Sequence, residues 1–297
     1  MILGAGWGLT QPLIKIAVTG GYEPLSIIFF QFFVGTVALG TYLRVVGKPF
    51  PLSRRALLTS IMISFVGTLM PNYAGFESLK TLPAGIYSVL IATIPMMAFP
   101  IALVLKNEGF ELRRMLGLIV GLVAVGLIVL PDASLPDRAM LAVIPLALIA
   151  PLCYAFEGNL VAKFGLGRLD AIQAMFGASA VGALVTFPIV FTTREFAIPS
   201  VLTSADIALL LTGVIHTLVY CGYVWLVGRA GAVFAAQINY LVTGFGVLWA
   251  MILLGERFSI WIWLALVVMA FGIALVQPRT PLASVDENLD SGGVPRT

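Results

Sequence analysis

Four ionisable side chains stand inside or near the edges of long apolar runs in this 297-residue chain: Lys15, Glu77, Glu157 and His216. Such a group at the centre of a lipid-embedded helix costs at least about 2.5–3.5 kcal/mol, so each calls for a partner, water or a function. Lys15 and Glu77 both fall toward the same face of the membrane. Snorkelling, an ion pair at that mouth or contact with a substrate would each account for them, and together they are a candidate outer gate. Glu157 follows Tyr154 by three residues. As a carboxylate it could hold a substrate amine, and with a raised pKa it could exchange a proton; the structural alternative is a pair with Lys163. His216 is the only histidine. Its ordinary pKa of about 6.5 suits a proton switch, while a neutral hydrogen-bonded core residue is the plainer reading.

Neutral polar groups extend the pattern. His216, Tyr220 and Tyr223 share one helix face, as do Trp7 and Gln11. Asn72 and Tyr73 sit beside Pro71, whose missing N–H can free a carbonyl. Gln237 and Tyr240 share a face, with Asn239 adjacent. Rings combined with amides suit an amphipathic metabolite better than a bare ion, and helix–helix hydrogen bonding is the alternative for each residue taken singly. Cys153 and Cys221 lie in apolar runs and read as small buried residues, so neither a metal site nor a disulfide is expected, and no cofactor. There is no G-x-x-x-x-G-K-[ST] loop, no H-E-x-x-H helix and no pair of aspartates within spans. That argues against a built-in ATPase and an intramembrane enzyme. A channel would show a ring of like charges or a filter loop, and neither is seen.

The scaffold that holds these side chains can be read from composition. Hydrophobic residues make up 60% of the chain and charged ones 10%, with mean hydropathy +1.05. A soluble surface needs roughly a quarter of its residues charged, so the solvent here is lipid. No basic cluster is dense enough to bind nucleic acid. Ten apolar stretches are candidate spanning helices: 2–18, 25–46, 56–79, 86–105, 115–130, 139–161, 171–192, 206–226, 233–254 and 260–276. Pro95 and Pro100 are expected to kink the fourth. Gly117, Gly121 and Gly126 permit close approach along the fifth. β-barrel alternation is absent. The expected fold is an all-α membrane protein of ten transmembrane helices in two inverted five-helix repeats, 1–131 and 139–277. A loop at 132–138 joins them, and 278–297 is expected to be a disordered cytoplasmic tail.

The repeat is visible as order-preserving identities. At an offset of 147, Tyr73, Gly75 and Leu79 match Tyr220, Gly222 and Leu226, and Gly35 matches Gly182; at 148, Glu108 and Phe110 match Glu256 and Phe258. Five spans is an odd number, so the second half must insert upside down relative to the first. The side holding both termini and the even-numbered loops carries 12 of the Lys and Arg residues and the other side 5. The bias predicts both termini in the cytoplasm, and the cytoplasmic (inner) membrane if the source is bacterial. The chain opens in an apolar segment without a signal-peptide pattern.

Several motifs resemble the drug/metabolite transporter superfamily, in particular its EamA-type members. They are Trp7-Gly8 followed by Lys15, the junction Leu79-Lys80-Thr81-Leu82-Pro83-Ala84-Gly85 with Pro95 beyond it, and Leu254-Gly255-Glu256-Arg257. The likeness covers about residues 7–277. Where many relatives carry an arginine in the second helix this chain has Gln31, and where the ninth often has a proline it has Val242 or Thr243. The resemblance implies a secondary transporter of small organic metabolites, amino-acid-like or amphipathic, working by alternating access and more commonly in export. Import of a metabolite or vitamin-like compound on the same fold is the alternative. The expected cavity set is Trp7, Gln11, Gln31, Asn72, Tyr73, Tyr154, Glu157, His216, Tyr220, Gln237, Asn239 and Tyr240, with Glu157 and His216 as candidate proton-coupling sites. The expected partners are a small-molecule substrate, the lipid bilayer and a coupling proton or other ion.

Overall fold

A computed structural model describes residues 1–130, 135–166, 169–193, 202–230 and 238–276, with the side chains of 223–230, 239 and 240 outside the description. Within these residues there are ten helical segments and no strand. They are α1 (Ile2–Thr19), α2 (Pro24–Val46), α3 (Arg54–Leu79), α4 (Ala84–Val104), α5 (Leu112–Val129), α6 (Arg138–Phe164), α7 (Ala171–Thr193), α8 (Ser204–Ala230), α9 (Ile238–Leu254) and α10 (Ile260–Val276). Seven of them, α2 to α8, are long and apolar enough to cross a bilayer; α9 and α10 are shorter apolar helices. Large apolar side chains such as Leu184, Phe191, Val267 and Phe271 are exposed on the outside. In water that belt would be a liability, and in lipid it is the required surface. This is an integral, multi-pass membrane protein.

Local sequence sets the helix ends. Pro24 opens α2, and Gly47, in the left-handed region at φ +71°, closes it. The Gly47 and Lys48 amides bond back to the Arg44 and Leu43 carbonyls, a Schellman-type stop. The Ser53 side chain caps α3 at Ala56 N (3.1 Å). Asp170 and Gln173 cap α7 reciprocally, Gln173 N donating to Asp170 Oδ1 (2.8 Å) and Asp170 N to Gln173 Oε1 (3.1 Å).

Prolines break two spans. α4 is interrupted at Ala92–Thr93, just before Pro95, and Thr93 Oγ1 donates to the Leu90 carbonyl (2.7 Å) there. In α3 a π turn, Phe65–Leu69, precedes Pro71. Pro71 cannot donate to the Gly67 carbonyl four residues back, and the wider turn relieves the ring's clash with it.

The two halves interlock. α1 packs on α8 and α9, and α6 packs on α3 and α4; α2 packs on α8, and α7 on α3; α2 also packs on α7, and α5 on α10. Exchanging α1–α5 with α6–α10 in order maps this set of contacts onto itself. Glycines make the close approaches possible. Gly8 lies against the Val242 carbonyl and the Gly246 amide, Gly35 against Ser179, and Gly182 against the Phe32 ring. The pairs 35/179, 40/176 and 182/32 run in opposite directions along the chain, so α2 and α7 are antiparallel.

Candidate functional site

Two groups of polar side chains face the middle of the bundle. Between α1 and α8, Trp7 meets His216 edge-on (ring centroids 6.5 Å, 87°) and Tyr220 (5.9 Å, 63°), and His216 lies 6.1 Å from Tyr220. Between α2, α3 and α6 runs a chain of hydrogen bonds. Tyr154 Oη donates to Asn72 Oδ1 (2.7 Å), and Asn72 Nδ2 donates to Gln31 Oε1 (3.2 Å). Gln31 and Asn72 are buried, and the bonds hold three helices in one register.

Gln31, Thr68, Ser179, His216, Thr217 and Tyr220 are among the residues that line one cavity, bounded by α2, α3, α7 and α8. About 20 Å³ of it is open to the centre of a water-sized sphere, room for roughly one water. A metabolite therefore has to part these walls. Glu157 stands beside the cavity: its carboxylate lies against Gly67 in the π turn of α3, next to the lining residue Thr68. It makes no hydrogen bond or ion pair among the described residues, while Lys163 donates instead to the Leu105 carbonyl (3.0 Å). Gln11 Oε1 is buried without a hydrogen-bond partner among the described residues.

The remaining sequence candidates fall elsewhere. Tyr73 is 45% exposed and does not line this cavity. Gln237 lies outside the described residues, as do the side chains of Asn239 and Tyr240. Lys15 and Glu77 do not pair with each other. Lys15 Nζ donates to the Lys80 carbonyl (3.3 Å), and Glu77 pairs with Lys80 Nζ (3.0 Å), which also holds Glu23 (2.7 Å). Burial pulls the Lys80 pKa down, but its bonds to Glu23 and Glu77 and their charges outweigh that and raise it.

The same end of the bundle is tied twice more. Glu256 accepts from the Ala84 (2.7 Å) and Gly85 (3.0 Å) amides at the start of α4, a carboxylate at a helix N-terminus, where the dipole favours it. Tyr22 donates to Asp206, whose other oxygen accepts from Thr203 N and Oγ1, both at 2.6 Å. Burial pushes the Tyr22 phenol up to about 12, helped by its bond to Asp206 and by the carboxylate's charge. At the opposite end Lys48 pairs with Asp170 (3.4 Å), Gln173 Nε2 donates to the Pro49 carbonyl (2.9 Å) and Arg55 to the Phe164 carbonyl (2.9 Å). Glu23 and Asp170 open the equivalent helices α2 and α7 and stand 147 residues apart.

Compared with known families, residues 1–130 and 141–277 each match one description, the EamA-like transporter family. The chain belongs to that family. An EamA-like transporter is a membrane transporter of the drug/metabolite type, and the match in both halves agrees with the interlocked packing. A chain from a solved crystal structure aligns over 92% of this EamA-like protein and 94% of itself, at TM-score 0.58 and 17% identity. That likeness speaks for the fold alone. No curated protein matches.

The sequence marks Lys80 only as part of the Leu79–Gly85 junction and not as an ion-pair hub, and it does not single out Tyr22, Asp206 or the cavity residues Thr68, Ser179 and Thr217. The lining hydroxyls carried no distinguishing signal, because Ser and Thr are common in apolar helices. Glu256 did have one: its match with Glu108 at the 148 offset.

Proposed function

We propose that this EamA-like protein is a secondary transporter that exports small organic metabolites by alternating access around the α2–α3–α7–α8 cavity. The observation that carries the reading is the contact pattern. Exchange of the two five-helix halves preserves it, and the equivalent helices α2 and α7 pack antiparallel. A two-fold relation lying across the helices gives inverted repeats with a site at their interface, an arrangement that rocking exposes alternately to either side. Ten spans and cytoplasmic termini belong to the same reading, supported by the distribution of Lys and Arg. With ion ties at both ends and little free volume, this conformation is read as occluded.

Proton coupling is assigned to Glu157 and His216, one carboxylate and one imidazole beside the same cavity. The test is purified protein in sealed proteoliposomes, assayed for uptake and efflux against a metabolite panel, with and without a pH gradient. Saturable, protein-dependent flux of at least one metabolite is expected, increased by the gradient. Flux of none, with lipid mixing or hydrolysis in its place, would overturn the reading.

A further inference from the structure

The walls of the cavity are unevenly equipped. One carboxylate, that of Glu157, stands beside the cavity against Gly67, with no hydrogen-bond or ion-pair partner among the described residues. Cationic side chains are missing, since no Lys or Arg is among the described lining residues, and Lys15 is engaged with the Lys80 carbonyl. Aromatic faces are concentrated between α1 and α8, where Trp7, His216 and Tyr220 form a three-ring cluster. Tyr154, one turn before Glu157 on α6, donates to Asn72, which donates in turn to the lining residue Gln31.

From this asymmetry we infer that the transported metabolite is an amine whose ammonium pairs with Glu157 and whose apolar body packs on the Trp7–His216–Tyr220 rings. An anion would enter a low-dielectric cavity lacking a counter-charge, which is strongly unfavourable. A neutral solute would leave the carboxylate unpaired. A cation supplies the counter-charge, favours the ionised carboxylate and gains attraction from electron-rich ring faces, Trp most of all. The small residual volume requires the amine to part α3 from α8 as it enters, bringing the two groups to bear on one ligand.

The inference rests on the transporter reading, and a matched set of probes separates the two. Phenethylamine, 2-phenylethanol and phenylacetate share a ring and differ in charge. Binding to the purified protein in nanodiscs is followed by tryptophan fluorescence, and flux in proteoliposomes by radiolabelled probe. Phenethylamine is expected to bind at least tenfold more tightly than 2-phenylethanol, with phenylacetate weakest. Glu157→Gln brings phenethylamine binding down to the level of 2-phenylethanol in the same variant, and Glu157→Asp, which keeps the charge, retains the preference. Trp7→Phe weakens phenethylamine binding less than Trp7→Leu does. Equal binding of the three probes, a preference for phenylacetate, or an undiminished preference in Glu157→Gln protein that elutes as a monodisperse peak would overturn the amine assignment. Flux of neutral or anionic metabolites in that case leaves the transporter reading standing; absence of all flux removes the transporter reading itself.

Discussion

The Glu157 carboxylate of α6 lies directly over Gly67 of α3, within the π turn that precedes Pro71. A Cβ at position 67 would occupy the space of the carboxylate itself. Gly67→Ala is therefore expected to displace the Glu157 side chain. Overpacking of this kind costs about 1–3 kcal/mol, so the protein should still fold, with a lowered Tm. Transport should fall at least tenfold, approaching the level of Glu157→Gln. The measurement is Tm by tryptophan fluorescence alongside flux; a Gly67→Ala protein with full activity would show that the carboxylate's position is immaterial.

Asn72 is the middle link of the Gln31–Asn72–Tyr154 chain, donating to one neighbour and accepting from the other. Side-chain hydrogen bonds between membrane helices average about 0.6 kcal/mol and reach about 1.7. Asn72→Ala loses both bonds and should destabilise by about 1–3 kcal/mol, whereas Tyr154→Phe loses one and should cost about half as much. Adding Tyr154→Phe to Asn72→Ala should cost little more than Asn72→Ala alone. Additive losses in that double-mutant cycle would mean the two residues act separately.

How legible this site was in the sequence depended on how far its signals lay apart. Spanning segments were readable because apolar runs are local, and the halves because Gly35/Gly182 and Glu108/Glu256 recur in order. Facing direction was harder. Tyr73 and Tyr220 match at the 147 offset, yet Tyr220 lines the cavity and Tyr73 is exposed. The π turn at Phe65–Leu69 is the physical reason: one extra residue rotates the remainder of α3 by roughly 100° against a straight 3.6-residue helix. Asn72 turns inward and Tyr73 outward as a result. Pro71 signalled the irregularity but not its amount. Long-range ties such as Glu256 to Ala84 leave no periodic trace, and the Lys80 hub stands in place of the expected Lys15–Glu77 pair.

That hub sets an expectation for pH. Lys80 has a raised pKa in the folded protein, so its contribution is fully present below the ordinary lysine value of 10.5 and is lost as pH rises through the higher folded value. Tyr22 behaves alike: its neutral phenol is the donor, present below the ordinary value of 10.0 and lost as pH climbs toward about 12. Neither group titrates between pH 6 and pH 9. Lys80→Ala and Tyr22→Phe should change the rate of transport but leave the shape of its pH profile in that range untouched. A profile whose midpoint moved in either variant would place a titrating group at this end of the bundle.

Glu23 and Asp170 are equivalent residues paired to lysines at opposite ends of the bundle, Lys80 on one face and Lys48 on the other. Both pairs are partly exposed, and such pairs are worth about 0–1 kcal/mol. In the proposed alternating cycle they are weak enough to open at each turn, and strong enough to bias which side opens. Removing one should favour opening at its own end, by up to about fivefold at 1 kcal/mol. Cys221 lines the cavity and provides the readout in a Cys153→Ala background. With a membrane-impermeant thiol reagent on the Lys48 side, Lys48→Ala should raise Cys221 labelling and Lys80→Ala should lower it. From the opposite side the order should reverse. Changes of the same sign in both variants would mean that the lysines brace one static structure and do not govern two alternating openings.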